Sequence, residues 1–205
     1  LFKIAVLISG SGSDLQSIMD GIESGHIKAS IEMVISDRKD AYGIERAKSR
    51  GINTYVFDRS VYGKNVSSEV LKLIDGEVDL VVLAGFLSIL QDDIIRKFKD
   101  RIINIHPSLI PAFCGKGMYG MKVHESAIEY GVKVSGCTVH FVDEGTDSGA
   151  IICQKVVPVY PGDTAKALQQ RILVEEHKVL PEVVKLISEG RVRVEGRKVF
   201  IVEED

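Results

Sequence analysis

In the first hundred residues, short runs of apolar, largely β-branched residues alternate with stretches whose apolar positions recur at helical spacing. KIAVLI (3–8), IEMVIS (31–36), INTYVF (52–57), DLVVLA (79–84) and RIINI (101–105) read as strands. They are mostly apolar on both faces, as strands buried inside a parallel sheet are. Between them, Leu15, Ile18, Met19 and Ile22 share a helical face, as do Ile44 and Ala47, and then Val66, Val70, Leu71 and Ile74. Strand–helix–strand units of this length need crossover connections, which are right-handed and build a parallel sheet.

The second half changes character. KVSGCTVHFV (133–142) and AIICQKVVPV (150–159) are longer strands joined by DEGTDSG (143–149), an antiparallel or mixed extension of the sheet. Asp163 or Thr164 is placed to cap a helix that runs to about Glu189 and stops at Gly190. RVRVEGRKVFIV (191–202) turns at Glu195-Gly196 and reads as a terminal hairpin. The 205 residues are expected to form one domain, with a parallel half over 1–100, a second half over 101–190 and the hairpin.

A net charge of −3 supplies no overall basic field, so nucleic acid and anionic membrane are not the expected partners. The longest apolar run, VDLVVLAGFLSIL (78–90), is too short to span a bilayer, and LFKIAVLISGSG reads as a strand rather than a signal peptide. Cys114, Cys137 and Cys153 are odd in number and unpaired in spacing, as expected of reduced thiols in a cytoplasmic protein. No residues show metal-ligand spacing.

ISGSGSDLQ (8–16) lies between the first strand and the first helix. There, backbone N–H groups and the helix N-terminus face an incoming anion. Gly10 and Gly12 let the backbone come close, and Ser11 and Ser13 add hydroxyls. No GK[ST] follows, so this is not a Walker loop, and Leu15 takes the third glycine position of a dinucleotide fingerprint. Phosphate binding and a plain tight turn both fit the loop.

NIHPSLIP (104–111) closes the fifth strand at the carboxyl edge of the sheet, where open α/β folds bind ligands. Residues two apart on a strand project to one side, so Asn104 and His106 can converge on one oxygen, with Pro107 and Pro111 stiffening the segment after the strand. A turn with a satisfied histidine remains the alternative. An aspartate beside His106, such as Asp147 of the acidic loop, would fix its tautomer and complete an oxyanion and proton-transfer site. Ser108 lacks the G-x-S-x-G setting of a serine hydrolase.

Taken together, SGSGSDLQ, VVLAGFLSIL, NIHPSLIP, TVHFVDEGTDSGAII and EEHKVLP strongly resemble the glycinamide ribonucleotide formyltransferases, a folate-dependent formyltransferase family, in order over residues 3–190. The resemblance implies an α/β, Rossmann-like open sheet with an antiparallel C-terminal extension. It implies formyl transfer from 10-formyltetrahydrofolate to the glycine amine of glycinamide ribonucleotide, without a metal. Asn104 and His106 match the catalytic pair that stabilises the oxyanion. Asp147 matches the aspartate that supports a protonated His106 and positions a proton-shuttling water. Gly10, Ser11, Gly12 and Ser13 match the phosphate loop, and Glu176 a ribose contact. Phe86, Leu87, Ser88, Ile89 and Leu90, with Val142, Asp143, Glu144, Gly145 and Thr146, match the segments around the pterin. Ser88 stands where some relatives carry a basic residue, and Leu173 where others carry Gln or Lys. His140 is typical of the family and reads equally as a support behind the catalytic residues or as a satisfied core histidine, whereas Lys116, His124, His26 and His177 receive no role. Small-molecule substrates and a monomer or homodimer are implied.

The rival acceptors are water, as in formyltetrahydrofolate hydrolase, and aminoacyl-tRNA or sugar nucleotides. These relatives carry an extra domain or greater length, for which the chain is expected to have no room. A dinucleotide-binding module with Asp37 as its ribose carboxylate is the rival of a different class, and it leaves Asn104, His106 and Asp147 unexplained.

Overall fold

The computed structural model describes residues 1–203. Seven strands, β1 (Phe2–Ile8), β2 (Ala29–Ser36), β3 (Asn53–Val56), β4 (Leu80–Leu83), β5 (Ile102–His106), β6 (Val134–Phe141) and β7 (Ile151–Pro158), form one sheet in the order β3-β2-β1-β4-β5-β6-β7. The pairings among β1–β5 are parallel, and β6 pairs antiparallel with β5 and with β7. This is the expected α/β open sheet with its antiparallel extension.

The two-faced apolarity of the strands has a direct cause. Along β1, Ile4, Val6 and Ile8 pack into one core layer, with helices α1 (Ser13–Glu23), α2 (Gly43–Lys48) and α7 (Ala165–Ser188). Ala5 and Leu7 pack into the other, with α4 (Val66–Ile74) and α5 (Asp92–Lys97). Each central strand therefore buries both of its side-chain rows. The four-residue helix α3 (Arg59–Tyr62) leads toward α4. β3 departs from the expectation. It is the edge strand, and Tyr55 and Val56 are exposed.

Thr164, not Asp163, caps α7: its hydroxyl accepts from the Ala167 N–H at 3.1 Å. Asp163 instead pairs with Arg171, whose hydrogen bond is the main reason its carboxyl sits at about 2. α7 continues through Pro181, which has no N–H for the carbonyl one turn back. The hairpin β8 (Val192–Glu195) and β9 (Lys198–Ile201) forms where expected. Helix α6 (Met121–Tyr130) lies in a stretch that sequence reasoning left unassigned.

The strand order places the topological switch between β1 and β4, where chain connections leave in opposite directions. Ligand crevices form at such a point. The segments after β1, β4 and β5 all open there.

Candidate active site

One cleft of about 710 Å³ runs along the carboxyl edge, lined by Gly10–Ser13, Phe86–Leu90, Asn104, His106, residues 142–147 and Glu176. Every residue that sequence reasoning proposed for the site thus borders a single space.

Asn104 faces His140 across the antiparallel β5–β6 register. His140 Nδ1 lies 2.8 Å from the Phe141 carbonyl, which can only accept, so Nδ1 carries the proton. Burial is the main cause lowering the His140 pKa, so the ring is neutral. Its Nε2 then accepts from the Asn104 amide at 3.2 Å, which leaves that amide a second N–H. His140 is therefore part of the polar site and not an ordinary core histidine.

His106 is held similarly. Its Nε2 donates to the Phe113 carbonyl at 2.9 Å, which turns Nδ1 toward Asp147 Oδ2 at 3.6 Å. Asp147 also stands 3.8 Å from His140 Nε2 and accepts the Gly115 N–H at 3.0 Å. Its side chain is only 13% exposed, although it lies in a loop. Asn104, His140, Asp147 and His106 thus form a continuous polar chain along the cleft wall.

The segment after β5 is pinned by side chains as well as stiffened by proline. Thr138 donates to the Ser108 carbonyl at 2.7 Å and accepts the Ile110 N–H at 3.2 Å, and Ser108 donates to the Ala112 carbonyl at 2.6 Å. Ser108 is fully buried and structural.

Around the phosphate loop, two expectations change. The Gly12 backbone has φ 71°, and a Cβ there would meet the Gly43 Cα at 2.6 Å. Gly12 therefore permits α1 and α2 to approach each other, besides opening toward the cleft. Gly10 has open space where a Cβ would go. Arg46 on α2 clamps the loop by donating to the Ser11 carbonyl at 2.8 Å. The first helical bond runs from Gln16 N–H to the Gly12 carbonyl, so earlier N–H groups at the start of α1 have no helical partner.

Asp37 is unavailable to a ribose. It is fully buried and accepts from Ser9 Oγ at 2.5 Å and Ser88 Oγ at 2.6 Å. The dinucleotide reading loses its carboxylate, and the Ser88 hydroxyl is turned inward.

Sequence reasoning missed several lining residues: Asp14, Arg38, Arg59, Met118, Tyr119 and His124. His124 is buried on α6, its Nδ1 has no hydrogen-bond partner among the described residues, and burial followed by the nearby His106 lowers its pKa to about 4. A histidine inside the short apolar face of an unrecognised helix gave no local signal. Among the described residues no group of three or more His, Cys, Asp or Glu could hold a metal ion, and no helix is long and apolar enough to cross a membrane.

Residues 2–184 match the family described as Formyl transferase. The chain belongs to this family. Within it, the chain is 41% identical over 202 residues to phosphoribosylglycinamide formyltransferase of Haemophilus influenzae, covering 97% of this chain and 93% of the relative. It is 41% identical over 207 residues to the human trifunctional purine biosynthetic protein adenosine-3, covering 99% of this chain but only 20% of that longer protein. The crystal structure of glycinamide ribonucleotide transformylase 1 from Symbiobacterium toebii superimposes with a TM-score of 0.90 at 46% identity, over 99% of this chain and 95% of that one. The formyl transferase fold thus accounts for both halves of the sheet.

Proposed function

We propose that this chain transfers the formyl group of 10-formyltetrahydrofolate to the glycine amine of glycinamide ribonucleotide, a step of purine biosynthesis. The observation that carries the reading is the single cleft in which an anion loop and the Asn104–His106–Asp147 group face one another. The relatives named for this reaction, at about 40% identity, supply the acceptor.

The residues divide the work by chemistry. The N–H groups at the start of α1, with Ser11 and Ser13, hold the ribonucleotide phosphate. Glu176 receives the ribose hydroxyls. The folate is a co-substrate that brings the formyl carbon. Leu87, Ile89, Leu90 and Val142 offer its ring an apolar wall, and Asp143, Glu144, Gly145 and Thr146 border that wall.

Asn104 directs its free N–H at the formyl oxygen as negative charge gathers there, a contact worth most in the transition state. His106, whose Nε2 is engaged by the Phe113 carbonyl, presents Nδ1 on the Asp147 side, and that nitrogen handles the amine's proton. In the net reaction an amine N–H becomes an N–C bond, and the released proton replaces the formyl group on N10 of the folate. At 3.6 Å His106 and Asp147 stand just beyond a direct hydrogen bond, so the water that Asp147 positions for the proton relay lies beside the pair and not between them.

The reading carries small-molecule partners, no nucleic acid or membrane, a monomer or homodimer, and a cytoplasmic setting. The three free cysteines accord with that setting. Single-turnover formyl transfer, with glycinamide ribonucleotide, water and aminoacyl-tRNA as competing acceptors, tests the assignment. Release of formate with no formylated amine would replace it with the hydrolase reading.

A further inference from the structure

Among the described residues, three that are not glycine have a left-handed backbone: Asp100, Phe113 and Asp147. Two of the three face one imidazole from different sides. The Phe113 carbonyl lies 2.9 Å from His106 Nε2, and Asp147 Oδ2 stands 3.6 Å from His106 Nδ1. The two are also tied together, because the Gly115 N–H, just beyond Phe113, donates to Asp147 Oδ2 at 3.0 Å. A bulky L-residue seldom adopts positive φ, and the φ of 49° at Phe113 persists only where its surroundings hold it. Before Phe113, Ser108 Oγ donates to the Ala112 carbonyl at 2.6 Å. The Phe113 ring meets the Tyr130 ring of α6 edge-on, with centroids 5.9 Å apart, and packs against the core. Beyond it, the Gly115 bond to Asp147 closes the segment.

The Phe113 carbonyl is the single hydrogen-bond partner of the His106 ring among the described residues. A carbonyl only accepts, so it draws the proton of neutral His106 to Nε2 and leaves a lone pair on Nδ1. Asp147 pulls the other way, since a carboxylate favours a proton on Nδ1, but it stands just beyond a direct hydrogen bond. The remaining ionisable groups nearby do not enter this contest. His140 is neutral through burial and has both ring nitrogens engaged, by the Phe141 carbonyl and the Asn104 amide. His124 of α6 is pushed down to about 4, chiefly by burial, and is neutral too. The Cys114 thiol is shifted up by burial and then by Asp147, and stays uncharged. The tautomer of His106 thus depends on where the Phe113 carbonyl points.

We propose that Phe113 is a positioning residue for formyl transfer: its left-handed backbone aims a carbonyl at His106 Nε2 and so keeps Nδ1 free to take the proton of the attacking amine. The proposal rests on the reading of this cleft as a formyl-transfer site. As the amine nitrogen bonds to the formyl carbon, its proton passes to Nδ1. The imidazolium then carries a proton on each nitrogen and still donates from Nε2 to the Phe113 carbonyl. Nδ1 returns its proton to N10 of the folate as the bond between N10 and the formyl carbon breaks. In the opposite tautomer Nδ1 would already hold a proton on the Asp147 side, and the amine would find no acceptor there. Phe113 touches no reacting atom and acts only through the imidazole.

The test compares Phe113→Asn with Phe113→Val. Both lose the ring and its contact with Tyr130, but asparagine tolerates a left-handed backbone and a β-branched residue does not. The readouts are nitrogen-15 spectra of the histidine-labelled chain, with the His106 signals assigned against His106→Gln, and single-turnover formyl transfer with substrate affinities measured separately. Once the imidazole is neutral, the parent and Phe113→Asn should show the Nε2–H tautomer, and Phe113→Val a shift toward Nδ1–H. Turnover should stay within about threefold of the parent in Phe113→Asn and fall about 10- to 100-fold in Phe113→Val, at unchanged affinities. Equal losses in the two variants with the tautomer unchanged overturn the proposal, because the lost ring alone would explain them. The parent spectrum decides the matter if Phe113→Val does not fold, since an Nδ1–H parent refutes it outright. An active parent with that wrong tautomer removes this proposal and leaves the reaction standing. An Nε2–H parent that formylates no glycinamide ribonucleotide removes the assigned reaction, and the role of Phe113 in it.

Discussion

Asn104 and His106 are two residues apart on one strand, yet the structure gives them different supports. Asn104 is oriented by the neutral His140 across the register, and His106 by the Phe113 carbonyl and Asp147. Their contributions should separate accordingly. Asn104→Ala is expected to lower the single-turnover rate about 100- to 1,000-fold while folate and ribonucleotide affinities hold. His106→Ala should cost roughly 100- to 10,000-fold. Asp147→Asn acts through the same imidazole, so His106→Ala combined with Asp147→Asn should be barely slower than the worse single change. Rates measured for the three single variants and the double decide this. Losses that multiply at His106 and Asp147 would break the coupling, and an Asn104→Ala enzyme impaired only in binding would remove its oxyanion role. The residue types and their spacing were readable along the chain. The role of His140 was not, because it follows from a strand pairing 36 residues away in sequence.

At the scale of elements, the phosphate loop is shaped by two helices and not by its own sequence alone. Gly12 meets Gly43 at the start of α2, and the Gly43 N–H donates to the Gly10 carbonyl at 3.0 Å. Gly12→Ala therefore forces both a left-handed alanine and a backbone collision. It is expected to destabilise the protein by roughly 1–3 kcal/mol. Gly10→Ala, which meets open space, should stay within about 0.5 kcal/mol of the parent. Urea unfolding of the two variants checks this, and equal stabilities would refute the helix-contact role of Gly12. Helix α6 escaped sequence reasoning for a physical reason. The buried face of α6 is only Val123, His124 and Ala127, too short and too polar for periodicity to register. β3 was recognised, but its edge position depends on strand order, which its own residues do not encode.

For the whole molecule, burial of acids at the cleft sets a pH dependence of stability. The folded Asp14 holds its proton up to about 6, against an ordinary value of 3.8. The folded state therefore binds more protons than the unfolded one between these values. The stability this group contributes is fully present below about 3.8 and is lost as pH rises through about 6. Asp14→Asn removes that titration. The melting temperature of the variant should gain on the parent from acid to neutral pH, with the gap levelling above about pH 7. Parallel melting curves across that range would show that Asp14 is not desolvated as described. Asp163 has the opposite sign. The Arg171 hydrogen bond holds it at about 2, so its contribution is fully present well above the ordinary 3.8 and is lost as pH falls from there through about 2.

By itself, the sequence determined the kinds of elements, most of their boundaries, the change from parallel to antiparallel halves, and the residues at the strand ends where chemistry could occur. These follow from period, capping and turn chemistry, which act over a few neighbouring residues. Tertiary structure decided which of those polar groups lose water and what they then face. It drew Asp37 into the fold between Ser9 and Ser88, gave Asn104 its partner His140, set Gly12 on Gly43, and enclosed Asp14 with Glu176 and His177. Desolvation and charge coupling depend on atoms brought close by packing, and those neighbours lie far apart along the chain.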